Sequence, residues 1–404
     1  MKTSYIGADV DSKMTNLAVE RDGVIVREFA VPTTIACLRG VLESIPRPRA
    51  LTFEEGPMAD WLGRGLGPVV DELVICDPRR NALINSDGDK DDVVDARKLA
   101  ALLRGGYLRA VHHSADARRV VLKQWVGLYH DRVREAVRQV NKIRGRCWQY
   151  GLRPPRGALR NQERRAAWLG ELGGQPVGAQ LALLFVGFDA AARQVEMARR
   201  EMGRWSRGAA ILGYWRELPG VGPIRSVTLY AYLDTPWRFG NNPRKLWKYC
   251  GVGLERASSG KDRLGRPNIG QLQLGWQVNR RLKDAVMGAA LSAIQQGENV
   301  FAGQYERLVA HGLTAGNARH TVARKLLTVL WGMWKTGTRF DPRLVSAETA
   351  DGKTNKKPQQ RIKVTTTATA GTIPRRSPLG DTEPPPRGES SPAVNGPGGH
   401  ASPE

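Results

Sequence analysis

The sequence predicts a mixed α/β domain, then a basic helical pair, then a second and mostly helical domain. Three observations carry this. Short apolar runs alternate with helical stretches over residues 1–103. Two long helical patterns, rich in arginine, follow between Ala117 and Trp205. A second compact unit then runs from Ile211 to about Lys335. Elements that alternate in this way, after a short meander of strands, are the mark of a mixed sheet with helices packed on it.

The first strand is Tyr5 to Val10, the second Thr15 to Glu20 and the third Val24 to Phe29. Arg21-Asp22-Gly23 supplies the turn between the last two, because Gly tolerates the positive φ that a tight hairpin needs. A helix is expected over Thr34 to Ser44, then a strand at Ala50 to Phe53 that leads into Glu54-Glu55-Gly56. Pro57 suits the first turn of the next helix. Leu73 to Cys76 forms a buried strand, and a polar loop leads to a helix from Asp92 to Leu103. The domain limits that follow are 1–112 for the α/β unit, 113–206 for the helical pair, 207–344 for the second domain and 345–404 for a tail. The tail is rich in Thr, Pro, Gly and Ser and has no aromatic residue, so it is expected to be disordered and dispensable.

Charge narrows the function. Of the 404 residues, 62 are Lys or Arg and 39 are Asp or Glu, a formal charge of +23. From Val345 onward there are eight basic and six acidic side chains, so about +21 belongs to the first 344 residues. A polyanionic partner fits, because each cation that meets a phosphate releases a condensed counterion. Arg118, Arg119, Lys123, Arg134, Arg138 and Lys142 lie on the first long helix and are the expected grip; a solvated structural spacer is the plainer alternative. No apolar run is long enough to span a bilayer, and the N-terminus MKTSYIGADVDSK lacks a secretory apolar region. Cys37, Cys76, Cys147 and Cys250 are too scattered for a CxxC zinc site or a disulfide frame. A cytoplasmic protein acting at the bacterial nucleoid, with no membrane partner, is the expectation.

Four acids fall at the ends of elements. Asp9 interrupts an apolar strand, Glu54 follows the strand ending in Phe53, and Asp92 and Asp95 open a helix at i and i+3, one face of its first turn. Mg²⁺ is a hard cation that takes one or two carboxylates together with water and phosphate. Two such ions about 3.5–4 Å apart can clamp both oxygens of a phosphodiester exchange. Singly, each acid has a plainer role: an edge residue, a helix cap, a surface charge. As an ordered set on this element pattern they fit a ribonuclease-H-like metal site, with Glu54 or its neighbour Glu55 as the second donor.

These residues resemble a known family. Tyr5-Ile6-Gly7-Ala8-Asp9-Val10-Asp11-Ser12-Lys13 is similar to the opening motif of the DEDD transposases of insertion-sequence family one-ten. Phe53-Glu54-Glu55-Gly56 resembles their second acidic motif, and Lys90-Asp91-Asp92-Val93-Val94-Asp95-Ala96 their third, with Asp91 where Thr is usual. Further on, Leu218-Pro219-Gly220-Val221-Gly222-Pro223, Trp237-Arg238-Phe239 and Tyr249-Cys250-Gly251-Val252 follow in that family's order. Ser258-Ser259-Gly260-Lys261 resembles its serine motif, in which the serine before glycine is the nucleophile. Asn279-Arg280-Arg281-Leu282-Lys283 lies at its basic helix, although the family's usual Gly-Asn pair is broken up here into Gly275 and Asn279.

The resemblance covers about residues 3 to 335. It implies an RNase H-like, RuvC-like nuclease domain, a helical coiled-coil insertion and a C-terminal transposase domain. It implies that Asp9, Glu54, Asp92 and Asp95 hold Mg²⁺, two ions in all, and that Ser259 (or Ser258) attacks DNA. It further implies DNA partners at the element ends and target, a structured guide RNA, and a homo-oligomer, dimer or tetramer.

The residues of the second domain are compatible with this. The Gly-x-Gly turn between Leu218 and Ile224 has the pattern of a helix–hairpin–helix element, whose glycines let backbone N–H groups approach a phosphate. Arg256 to Arg266 should be a basic loop in which Lys261, Arg263 and Arg266 meet nucleic acid. His311 and His320 are distant in sequence and expected to be structural, so the serine needs a different activator, such as the carboxylate-bound metal. Two alternatives stand beside a transposase: a RuvC-like junction nuclease that needs the carboxylates but not Ser259, and a non-catalytic nucleic-acid-binding protein.

Overall fold

A computed structural model of the protein describes residues 2–81, 92–257, 271–276 and 278–345. The first domain is a five-stranded sheet in the order β3-β2-β1-β4-β5. Strands β1 (Ser4–Val10), β2 (Met14–Arg21) and β3 (Val24–Pro32) form an antiparallel meander. Arg21 pairs with Val24 across a two-residue turn in which Asp22 and Gly23 have φ of 53° and 82°. Both angles are positive, as a primed hairpin turn requires. Strands β4 (Arg49–Glu54) and β5 (Glu72–Cys76) add in parallel beside β1, each reached through a helix: α1 (Ile35–Glu43) and α2 (Ala59–Leu66). The meander runs one residue longer at each end than the sequence pattern indicates for β2, and β3 continues to Pro32.

Side-chain size divides the two faces of this sheet. Ile6, Ala8, Leu51, Phe53 and Ile75 turn to one face, where Leu38 and Leu42 of α1 and Leu62 and Leu66 of α2 complete the core. The other face is small: Gly7, Ala18, Ala50 and Thr52. It receives helix α3 (Asp92–Arg104), through Ala96, Leu99 and Ala100. The approach at Gly7 is so close that a Cβ there would lie 2.1 Å from the Ala96 carbonyl oxygen and 2.5 Å from the Ala100 nitrogen. Two ion pairs orient the helix, Arg97 with Glu28 and Arg104 with Glu20. Glu20 pairs with Tyr5 and Ala18 with both Glu28 and Gly7, so α3 runs antiparallel to β1 and its N-terminus reaches the strand's C-terminal end.

Helix α4 (Ala117–Gln149, 33 residues) is capped by Asp116, which accepts from the Arg118 N–H at 2.8 Å. At 1.5 Å per residue it is about 50 Å long. It pairs with α6 (Pro176–Trp205), which begins at a first-turn proline three residues before the Ala179 start expected from sequence. Between them lies α5 (Gln162–Glu171), which no pattern in the sequence sets apart from the connection. It closes the far end of the hairpin over Ile143, Cys147, Ala158, Trp168, Leu181 and Phe185. Arg165, 7% exposed, holds it there through both oxygens of Asp189 at 2.9 and 2.7 Å.

The last unit contains α7 (Ile211–Trp215), α8 (Pro223–Leu233), α9 (Pro243–Tyr249), the hairpin β6 (Leu254–Ala257) with β7 (Gln271–Leu274), α10 (Arg280–Gln296), α11 (Val300–Ala310) and α12 (Ala315–Thr336). Trp215 is fully buried and donates from Nε1 to the Leu330 carbonyl at 3.0 Å. Leu122 and Val126 of α4 and Met202 of α6 share this core, so the root of the helical pair is built into the last domain. Two expectations change here. Arg256 lies on strand β6 and not in a loop, because Leu254 to Ala257 find ladder partners at Leu274 to Gln271. Gly220 (φ +79°) faces protein: a Cβ there would meet the Ala289 oxygen of α10 at 2.1 Å, so its smallness serves helix packing.

Candidate functional site

The carboxylate end of the sheet is set by register. Ala8 of β1 pairs in parallel with Phe53 of β4, so Asp9 and Glu54 emerge one residue later at the same level. Both are in step with Gly7 and Thr52 and therefore face α3, on strands about 4.8 Å apart. Asp92 is the first residue of α3, and Asp95 lies one turn along, beside the Ala96 that touches Gly7. The positive end of the α3 dipole is thus directed to the sheet end that carries Asp9 and Glu54. Asp9, Glu54 and Asp95 are all half-buried. Asn81 donates from Nδ2 to Glu54 Oε1 at 2.8 Å and to the Cys76 sulfur at 3.3 Å, which fixes the Glu54 side chain. No sequence motif marks Asn81; only the fold brings it back to the sheet end.

Glu55 points elsewhere. Its Oε2 lies 2.5 Å from His113 Nε2, while His113 Nδ1 lies 2.7 Å from Asp60. The hydrogen bond to Glu55 raises the imidazole's pKa, burial opposes it, and Asp60 reinforces the rise. The adjoining residues bind the other domain. His112 Nε2 lies 2.7 Å from Asp234 Oδ2 and Ser114 donates to Asp234 Oδ1 at 2.7 Å. Burial works to raise the Asp234 carboxyl, but the bonds from Ser114 and His112 and the charge on Arg119 outweigh it and hold it below the usual carboxylate range. The His112-His113-Ser114 run is therefore the rivet between the first and last domains, a role its sequence did not announce.

Among the described residues, no group of three His, Cys, Asp or Glu side chains is arranged to hold a metal ion. The Asp92 side chain is outside that description, as are Ser258, Ser259, Lys261, Arg263 and Arg266. At this sheet end stand the carboxylates of Asp9 and Glu54, with the Cys76 thiol reached from Glu54 through Asn81. Carboxylate oxygens are donors of the kind that Mg²⁺ takes, completing its shell with water and phosphate. The serine segment springs from β6 and β7, and Lys248 and Glu255 flank its base 3.6 Å apart.

The expected grip on α4 divides in two. Arg118, Arg134, Arg138 and Lys142 are exposed, with Arg134 and Arg138 paired to Asp131 and Glu135 one turn away. Such surface pairs are weak and exchange readily for phosphate. Arg119 is a correction. Its guanidinium is turned inward over the Tyr230 ring, 3.3 Å from the centroid, and donates to the Tyr230 carbonyl at 2.7 Å. Lys123 is half-buried, 6.0 Å from the Tyr232 ring. Arg281 likewise serves the structure, bonded to Asp131 at 2.9 Å and to the Tyr232 hydroxyl at 2.8 Å. A basic groove of about 850 Å³ lies at the hairpin root, bordered by Arg199, Arg200, Arg207 and Arg216, none of which the sequence singles out. The spacing of those four arginines across a helix end was the available signal.

The fold defines a class: a mixed α/β domain with Asp9 and Glu54 side by side at one sheet end, joined by a long basic hairpin to a helical domain. Residues 214–306, from the end of α7 into α11, match the model described as the Transposase IS116/IS110/IS902 family. The match lies wholly within the last domain and supports a transposase function. No curated protein matches the chain. Among the described residues, no helix is long and apolar enough to cross a membrane.

Proposed function

We propose that this protein is a transposase that cuts and rejoins DNA, with an RNase H-like first domain and a serine nucleophile in the last. The observation that carries the reading is the meeting of Asp9, Glu54 and the α3 N-terminus at one sheet end, in a chain whose last domain is similar to a transposase family. Asp9, Glu54, Asp92 and Asp95 would hold Mg²⁺. When bound, that ion supplies positive charge to the phosphoryl group undergoing transfer.

The chain's own residues do the rest. Ser259 Oγ attacks the scissile phosphorus and a serine–phosphate bond forms to the 5′ side. The bond from phosphorus to the 3′ oxygen breaks, and the proton given up by serine ends on the departing 3′-hydroxyl. Reversal with a different 3′-hydroxyl rejoins strands without an external energy source. Lys261, Arg263 and Arg266 stabilise the added negative charge. Exposed cations on α4 hold nucleic-acid backbone, and a structured RNA of the element supplies sequence by base pairing. Because the serine and the acids lie in different domains, two subunits complete one site, and a homo-oligomer is the working form.

The test is a recombination assay on DNA carrying the element ends. Asp9→Asn and Ser259→Ala should each reduce strand joining at least 1,000-fold, about 4 kcal/mol of transition-state stabilisation, with the thermal unfolding midpoint retained. A denaturation-resistant protein–DNA adduct should form with wild type and be absent from the Ser259→Ala protein. Strand cutting that survives Ser259→Ala but not Asp9→Asn would replace this mechanism with hydrolysis by a junction nuclease.

A further inference from the structure

The far tip of the helical hairpin carries a second cleft, at the opposite end of α4 from the rivet between domains. It has a volume of about 460 Å³, within the range of about 300–1,000 Å³ usual for small-ligand sites. Its lining includes Trp148, Arg144, Arg156, Arg160, Pro154 and Pro155. Trp148 is 73% exposed, although it sits on a helix whose neighbouring Cys147 is fully buried. An indole left open in this way, beside three arginines, is suited to a flat ring flanked by negative charge.

The walls are built and not merely a gap between loops. Leu152 N–H donates to the Cys147 carbonyl at 2.9 Å, and Ala158 N–H to the Pro155 carbonyl at 3.0 Å. Arg160 and Asn161 N–H groups both donate to the Gly157 carbonyl at 2.9 Å. Ala158 is buried with Trp168 and Phe185 in the hairpin's own core, so the loop is anchored from below. Asn161 caps α5, accepting from the Arg164 N–H at 2.9 Å, and fixes the far wall.

Charge selects the occupant. Residues 142–171 contain eight basic and two acidic side chains. A second copy of this tip would bring like charge against like, whereas a polyanion is drawn in. Arg165 is committed to Asp189, whereas Arg144, Arg156 and Arg160 are exposed at the cleft. In a duplex, bases are already stacked and closed to an indole; in a single strand or loop they are open.

We propose that this cleft binds an unpaired nucleotide, its base stacked on Trp148 and its flanking phosphates held by Arg144, Arg156 and Arg160. The proposal rests on the reading of the protein as one that works on nucleic acid, and adds a single-strand site remote from the carboxylates. It gives the hairpin a means to distinguish unpaired from paired segments of one nucleic acid.

The test uses the full-length protein and two fluorescein-labelled probes, an oligothymidylate and a blunt duplex of equal length, followed by anisotropy. Trp148→Ala should weaken oligothymidylate binding about 10-fold, the loss of one stacked base, and alter duplex binding less than about 2-fold. Trp148→Phe should restore most of the single-strand affinity. An oligothymidylate made abasic throughout should bind wild type as weakly as the intact probe binds the alanine variant. Equal affinity of wild type and Trp148→Ala for the oligothymidylate, or equal losses on both probes, would overturn the proposal. So would a change in sedimenting mass on Trp148→Ala, which would make the cleft a contact between copies. A wild-type protein that bound neither probe would instead overturn the nucleic-acid reading beneath it.

Discussion

Glu54 and Glu55 are adjacent, chemically alike and equally placed by any sequence motif. Strand alternation separates them: Glu54 is in register with Asp9 on the face covered by α3, and Glu55 turns to His113. His113 is thereby held between two carboxylates, and its folded-state pKa is raised above the ordinary value near 6.5. A raised histidine stabilises the fold fully at pH below that ordinary value and ceases to do so as pH climbs through the folded one. Replacing His113 with Gln should therefore lower unfolding stability by about 2 kcal/mol at pH 6, the scale of hydrogen bonds to charged groups. The difference from wild type should narrow toward pH 9. Chemical denaturation of both proteins across pH measures it, and a gap that widened with pH would show that the imidazole sits there neutral.

At the scale of elements, the decisive contact is α3 on β1. The helix brings Asp92 and Asp95 to the sheet end only because Gly7 has no side chain: the Ala96 carbonyl occupies the space a Cβ would need. Gly7→Val should force the helix off the sheet at a cost of about 1–3 kcal/mol, the usual range for overpacking. Strand cutting should fall with it, since the donors on α3 retreat from Asp9 and Glu54. Urea unfolding and a cutting assay on the same preparation would check both halves. Loss of stability with full cutting would mean that α3 is not part of the site. The hairpin makes a related point, since its arginines divide by direction: Arg118 and Arg138 face solvent while Arg119, one residue from Arg118, is packed on Tyr230.

For the whole molecule, the governing quantity is a charge of about +21 over residues 1–344. The exposed cations of α4, the groove at the hairpin root and the cleft at its tip spread that charge along a feature about 50 Å long. A nucleic acid laid on such a surface gives up many counterions at once. The logarithm of the binding constant should fall against the logarithm of salt concentration with a slope of about −5 or steeper, as six or more neutralised phosphates require. A chain ending at residue 345 should show the same slope, because the removed segment carries a net charge of only about +2. A shallow slope for the full chain, read from anisotropy titrations at several salt concentrations, would contradict a phosphate-based grip.

Sequence by itself determined the order of elements in the first domain, the turn at Asp22-Gly23, the two long helices and the sign and location of the charge. These follow from local periodicity and composition, which are written residue by residue. It also marked Asp9, Glu54, Asp92 and Asp95, since acids beside apolar runs stand out. Tertiary structure alone decided which acids share a face, that Asn81 fastens Glu54, that Arg119 and Gly220 serve packing, and that α5 closes the hairpin to leave Trp148 open. Each of those outcomes depends on a partner distant in the chain, and direction in space is fixed only when that partner arrives: a side chain's type can be read along one dimension, its neighbour only in three.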